Sequence, residues 1–191
     1  MKKTVVLAAV SVCLLAASSA HAQTNLVLDG GFETGSLALW QAQIDTPTVV
    51  AGNAHSGTYA LELGQSTSDA SVQQTNLTLS AVPYVVDFWA ENTGGHIGGF
   101  QFTGHLTVSL DGVQVAYFSP SVGTTYNEYT FTVTPTTSGA LSFSWARGGG
   151  PNPLYLDDVS VTQVPEPTTM TIIAGALLLL PLRMLRKTRT A

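Results

Sequence analysis

Apolar and polar residues alternate with a period of two along the middle of the chain, and no segment there sustains the period of a helix. Between Tyr84 and Ala90, Tyr84, Val86, Phe88 and Ala90 share one face, while Asp87 and Trp89 share the other with Glu91. Between Leu141 and Ala146, Leu141, Phe143 and Trp145 share a face and serines fill the opposite one. The stretch from Leu106 to Leu110, then Asp111-Gly112, then Val113 to Phe118 predicts a hairpin. Its two-residue type I′ turn needs positive φ, which Asp-Gly supplies. Tyr126 to Val133 and Leu154 to Val161 add further strands. Glycine and proline punctuate the rest. About nine short strands with turns between them predict an all-β fold, an antiparallel β-sandwich of jelly-roll type.

The two ends break this pattern. Lys2 and Lys3 precede an apolar stretch from Val5 to Ala17, and Ala20-His21-Ala22 is an A-x-A cleavage site. Residues 1–22 therefore read as a secretory signal peptide, with Gln23 the first mature residue; an uncleaved anchor is the other reading. Cys13, the chain's one cysteine, falls inside this leader, so the mature chain has no thiol, disulfide or cysteine metal site. At the other end, Val164-Pro165-Glu166-Pro167 is a rigid linker. An uncharged run from Met170 to Leu182 follows, and Arg183, Arg186, Lys187 and Arg189 close the chain. A hydrophobic helix over about residues 168–185 is slightly short of the roughly 20 residues of a full span. Its basic end predicts a cytoplasmic tail, with residues 23–163 across the membrane.

Charge narrows the classes open to residues 23–163. Seven Lys and Arg in the chain, less the six at its ends, leave Arg147 alone there, whereas every acidic residue but Glu166 is in this region. No basic patch exists for nucleic acid or anionic lipid. The acidic side chains suit calcium or simply keep the protein soluble.

The tail resembles the PEP-CTERM sorting signal of Gram-negative bacteria that make exopolysaccharide, on the order Pro-Glu-Pro, apolar segment, Arg-rich end between Val164 and Arg189. Pro181 departs slightly from a clean apolar run. The resemblance implies Sec export, a membrane-anchored intermediate and recognition by an exosortase. It also implies delivery to the cell surface or extracellular matrix with removal of the tail. An ordinary membrane anchor predicts the same orientation without cleavage.

The middle is similar to the carbohydrate-binding β-sandwiches of the galactose-binding-like class. Asn25 to Gly35 with Trp40 matches the opening motif, Ala54 to Leu61 the second loop, and Tyr155 to Val161 the last strand. The resemblance implies a structural Ca²⁺, a hard ion that takes six to eight oxygens. Glu33 and Asp157 would be its side-chain ligands, Asp158 the alternate carboxylate, and Asp29 and His55 backbone donors. The competing reading is that Glu33 and Asp157 only bond backbone amides. The His55 ring is expected in solvent or in a turn.

Sugars are held by aromatic faces and by hydrogen bonds from polar side chains. Trp40, Trp89, Tyr117, Tyr126 and Tyr129 are the candidate aromatics, with Trp40 and Trp145 expected in the core. If the Trp89 face is the solvent side, Trp89 is a platform flanked by Asp87 and Glu91; if it is an inner layer, Trp89 is core. Arg147, before the glycine-rich stretch Gly148 to Pro153, can reach a ligand or merely start a long connection. Asp87 and Glu91 lie roughly 13 Å apart along one strand, too far for a paired-carboxylate glycosidase. No nucleophile elbow, phosphate loop or zinc-helix motif occurs. The sequence thus predicts a non-enzymatic exported protein that binds glycans such as exopolysaccharide. The alternatives are a purely structural surface protein and, further off, a small secreted hydrolase.

Overall fold

The computed structural model describes residues 23–165, except 66–67, 98–99, 103, 121–124, 137–138 and 149–151. The signal peptide, with Ala20 and Ala22, lies outside the described residues. So does the tail from Glu166 and Pro167 through Arg183, Arg186 and Lys187, with its hydrophobic helix.

The described chain is all-β. Its strands are β1 Gln41–Ile44, β2 Thr48–Ala51, β3 Tyr59–Leu63, β4 Ala70–Leu77, β5 Tyr84–Asn92 and β6 Gly95–Ile97, then β7 Phe100–Phe102, β8 His105–Leu110, β9 Val113–Phe118, β10 Asn127–Val133, β11 Gly139–Ala146 and β12 Leu154–Gln163. They form two five-stranded sheets, β1-β4-β11-β8-β9 and β10-β5-β12-β3-β2, with β6 and β7 as a small separate ribbon. Every pairing is antiparallel. The architecture is the predicted jelly-roll sandwich. More strands form than the nine or so expected. β1, β6 and β7 are short, and their sequences carry little alternation for a pattern to reveal.

Period two becomes a shared core. Along β5 the even positions are buried and the odd ones half-buried. On β11, Leu141, Phe143 and Trp145 are buried while Ser142 and Ser144 are half-exposed. Phe88 of one sheet meets Phe143 of the other edge-on at 5.2 Å. Each such fully buried side chain contributes about 1.5–3 kcal/mol through removal from water. The hairpin of β8 and β9 closes with Leu110 opposite Val113, and its turn has the two positive φ values of type I′: 54° at Asp111 and 72° at Gly112.

The outward faces of the two sheets differ. Across the first sheet, Gln41, Gln73, Ser142 and Ser109 lie in one row, and Ser71, Ser144, Thr107 and Tyr117 in another. No strand of that sheet carries Asp, Glu, Lys or Arg. Across the second sheet, Glu128, Trp89 and Asp157 form one row. Glu91, Tyr155, Glu62 and Thr48 form the next.

Candidate functional site

The connection from β2 to β3 folds over the outward face of the second sheet, and carboxylates hold it there. Asp157, fully buried, accepts the amides of His55 at 2.8 Å and Ser56 at 3.1 Å on Oδ2, and that of Asp158 at 2.7 Å on Oδ1. Burial pushes its carboxyl pKa up, and these N–H bonds pull it the other way. Asp158 accepts the Ser56 hydroxyl on Oδ1 and pairs with His55 Nδ1 on Oδ2, both at 2.7 Å. Successive strand residues normally point to opposite faces. Here β12 bulges between Asp157 and Ser160, and Asp158 takes a φ of 49°, so both carboxylates reach the same loop.

The opening segment holds the same loop from its other side. It runs beside β12, with Leu26 N bonded to Val161 O and Val159 N to Gly30 O, each at 2.9 Å. Left-handed turns at Asp29 and Phe32 (φ 51° and 56°) then bring Glu33 to the loop. Its Oε1 accepts the amides of Thr58 at 2.8 Å and Tyr59 at 2.9 Å. Gly57, just before them, has φ 65°, and a Cβ there would lie 2.4 Å from Glu33 Oε1, so the position requires glycine.

The folded loop makes a cleft of about 410 Å³ with β5 and the start of β10. The His55 ring stacks on Trp89 with centroids 3.7 Å apart and planes 10° from parallel. Tyr126 tilts against it at 5.5 Å, and the Tyr126 hydroxyl donates to the Asn53 carbonyl. Glu91 completes the lining. Burial raises the Glu91 carboxyl pKa. The Tyr126 hydroxyl is pushed far above its ordinary range, by burial first and then by the charges of Asp157 and Glu91.

The predicted ligand-contact residues separate. Trp89 and Glu91 line the cleft; Trp89 is on the outward face of its sheet, half-buried beneath the stacked His55 ring. Asp87 lies one step down the same face, accepts the Thr130 hydroxyl at 3.1 Å and is outside the cleft. Arg147 is also outside it; its amide donates to Asp69 at 2.9 Å. Trp40 and Trp145 are core, as expected. Tyr129 packs against Phe118 and Phe88, whereas Tyr117 is 61% exposed and stacks on His105. The His55 ring, expected in solvent or a turn, is on the exposed β2–β3 loop, and it also forms part of the aromatic wall. Its partners Asp158 and Trp89 are distant in sequence, so no local signal marks it.

No family model and no curated protein matches the chain. Solved structures do. The chain is similar to TmCBM61, solved in complex with β-1,4-galactotriose, at 21% identity and TM-score 0.53, over 74% of this chain and 99% of that one. It is similar to the CBM22-1 xylan-binding domain of Paenibacillus barcinonensis Xyn10C at 16% identity and TM-score 0.56, over 78% and 100%. The likeness is one of fold: a two-sheet antiparallel β-sandwich like that of these carbohydrate-binding modules. The same module-like sandwich also resembles the K3 adhesin domain of Lys-gingipain from Porphyromonas gingivalis, at 14% identity and TM-score 0.56, over 74% and 99%.

Among the described residues no group of three or more His, Cys, Asp or Glu side chains is arranged as a ready metal cluster. The donors for a hard cation are nevertheless close together in the module-like sandwich. A Cβ built on Gly31 would lie 3.6 Å from Asp158 Oδ1, 3.8 Å from Asp157 Oδ1 and 3.8 Å from Glu33 Cγ. Carboxylate oxygens of Asp157 and Asp158 and the Cγ of Glu33 thus border a gap left by a missing side chain, and oxygen donors suit Ca²⁺. Backbone amides fill Glu33 Oε1 and Asp157 Oδ2, two on each, as the competing reading has it, but Asp157 Oδ1, with one N–H partner, keeps a second lone pair. Asp29 fits less well. Its carbonyl already accepts Phe32 N at 3.1 Å and Trp40 Nε1 at 3.2 Å, and its carboxylate holds Thr34.

Proposed function

We propose that this chain is a non-catalytic glycan-binding protein of the cell surface or extracellular matrix, with the cleft at Trp89 as its binding site. The observation that carries this reading is the outward aromatic wall of Trp89, His55 and Tyr126 beside the Glu91 carboxylate. Aromatic surface binds the apolar face of a sugar ring, and a few placed polar groups orient it. The galactotriose and xylan partners of two structural neighbours support a saccharide ligand. A glycan array probed with the purified protein tests it. Binding to at least one glycan class is expected, with loss of at least tenfold in affinity for Trp89→Ala. A wild-type protein that binds no glycan would sink the reading and leave a purely structural surface protein.

A Ca²⁺ held by Glu33, Asp157 and Asp158, with the His55 carbonyl as a further donor, is part of this proposal. Its role is to clamp the opening segment, the loop and β12 together, which a chain without disulfides has no covalent means to do. Thermal melting with and without a chelator checks it. The melting temperature should fall on chelation and recover with added calcium; identical curves would rule the ion out.

The ends of the chain support export, passage through a membrane-anchored intermediate and sorting by an exosortase in a Gram-negative bacterium. The sandwich unit runs to Val164, whose amide bonds Pro83 O at 2.9 Å, and Pro165 follows it in the chain.

A further inference from the structure

The cleft carries charge as well as aromatic surface. Glu91 is half-buried in its lining, and among the described residues its carboxylate accepts no hydrogen bond and meets no cation. An ionised carboxylate left in this state is costly and is normally paired. The surrounding elements do not supply a partner. Tyr155 lies opposite it on β12, Glu62 beyond on β3, and Tyr126 comes from the start of β10. His55, from the folded loop, is committed to Asp158. Arg147, the lone basic residue of the domain, is outside the lining. The cleft therefore presents one unmatched negative group in the same lining as the rings of Trp89, His55 and Tyr126, a combination of charge and aromatic surface that favours a cation.

On the basis of the glycan reading, we propose that this cleft selects a cationic sugar: a hexosamine with a free ammonium group, as in a polysaccharide that is not fully N-acetylated. The ammonium has three N–H donors and no acceptor, so it matches Glu91 directly and can lie against the aromatic wall at the same time. N-acetylation removes both the charge and two of those donors.

Calorimetric titration of the purified full chain with a glucosamine oligosaccharide, and with its N-acetylated counterpart of equal length and linkage, tests this. The amine form should bind about tenfold more tightly or better, the usual worth of a charge-assisted hydrogen bond. Glu91→Gln should bring the two oligomers to equal affinity. Glu128→Gln removes the same charge from the same sheet face outside the cleft and should leave the preference intact. Glu91→Asp, which keeps the charge, should retain most of it and covers the case in which the glutamine variant folds poorly. Equal wild-type affinity for the two oligomers would overturn the proposal and leave the glycan reading standing. An equal loss in Glu91→Gln and Glu128→Gln would also overturn it, since attraction would then belong to the acidic face as a whole. Failure of both oligomers and of every neutral glycan would remove the glycan reading too.

Discussion

Glu62 shows how far the environment of one residue governs its chemistry. It lies between Tyr155 and Thr48 in a cross-strand row and is buried, with the Tyr155 hydroxyl donating to it at 3.4 Å. Burial raises its pKa above the ordinary 4.5, and the hydrogen bond from Tyr155 offsets that only in part. Folded Glu62 therefore holds its proton more tightly than the unfolded chain does. The stability this contributes is complete below about 4.5 and is lost as pH rises through the raised folded value. Glu62→Gln cannot ionise and should gain stability relative to wild type across that window. Melting curves of both proteins from pH 4 upward would show it, and a constant difference in melting temperature would exclude it. Neither the row nor its burial can be read from the sequence. No strand is predicted at Glu62, which directly follows the second-loop motif, so nothing indicates what covers it. Trp89 posed the same problem, since period two distinguishes faces but does not say which is inward.

At the level of elements, local chemistry was a good guide and long-range closure was not. The hairpin of β8 and β9 was legible because Asp111-Gly112 dictates its own turn. The fold of the β2–β3 loop over the sheet depends on Asp157 and Asp158, about a hundred positions away. The motif resemblance identified these carboxylates and Glu33, but not that the loop would bring the His55 ring onto Trp89. The bulge in β12 was equally hidden, because its one extra residue has no distinctive composition. The consequence can be tested in Asp157→Ala, which leaves three backbone amides without their acceptor. A loss of about 3 kcal/mol or more is expected, measured by denaturant unfolding. Faster hydrogen exchange at His55 and Ser56 and weaker glycan binding should accompany it. Full protection of those amides in the variant would show that the loop is held by other means.

On the scale of the whole molecule, fold class followed from short alternating segments and turn residues, and the two five-stranded sheets bear it out. The cleft belongs to this scale, since a loop, a central strand and an edge strand build it together. If the sorting proposal holds, protein recovered from the cell surface should begin at Gln23 and end near Pro165, with any added group visible as extra mass. An intact mass reaching Ala191 would exclude processing. The unequal outward faces carry one more consequence. Every strand carboxylate, namely Glu62, Asp87, Glu91, Glu128, Asp157 and Asp158, belongs to the second sheet. The strand charges alone give such a sandwich a dipole moment across its thickness, which Asp45, Asp69 and Asp111 in turns beside β1, β4 and β8 reduce. Close to an anionic cell envelope, the resulting torque turns the serine and threonine sheet inward and the cleft outward, towards the surrounding polymer. This steering acts only within a Debye length of about 8 Å at physiological ionic strength and fades as salt rises.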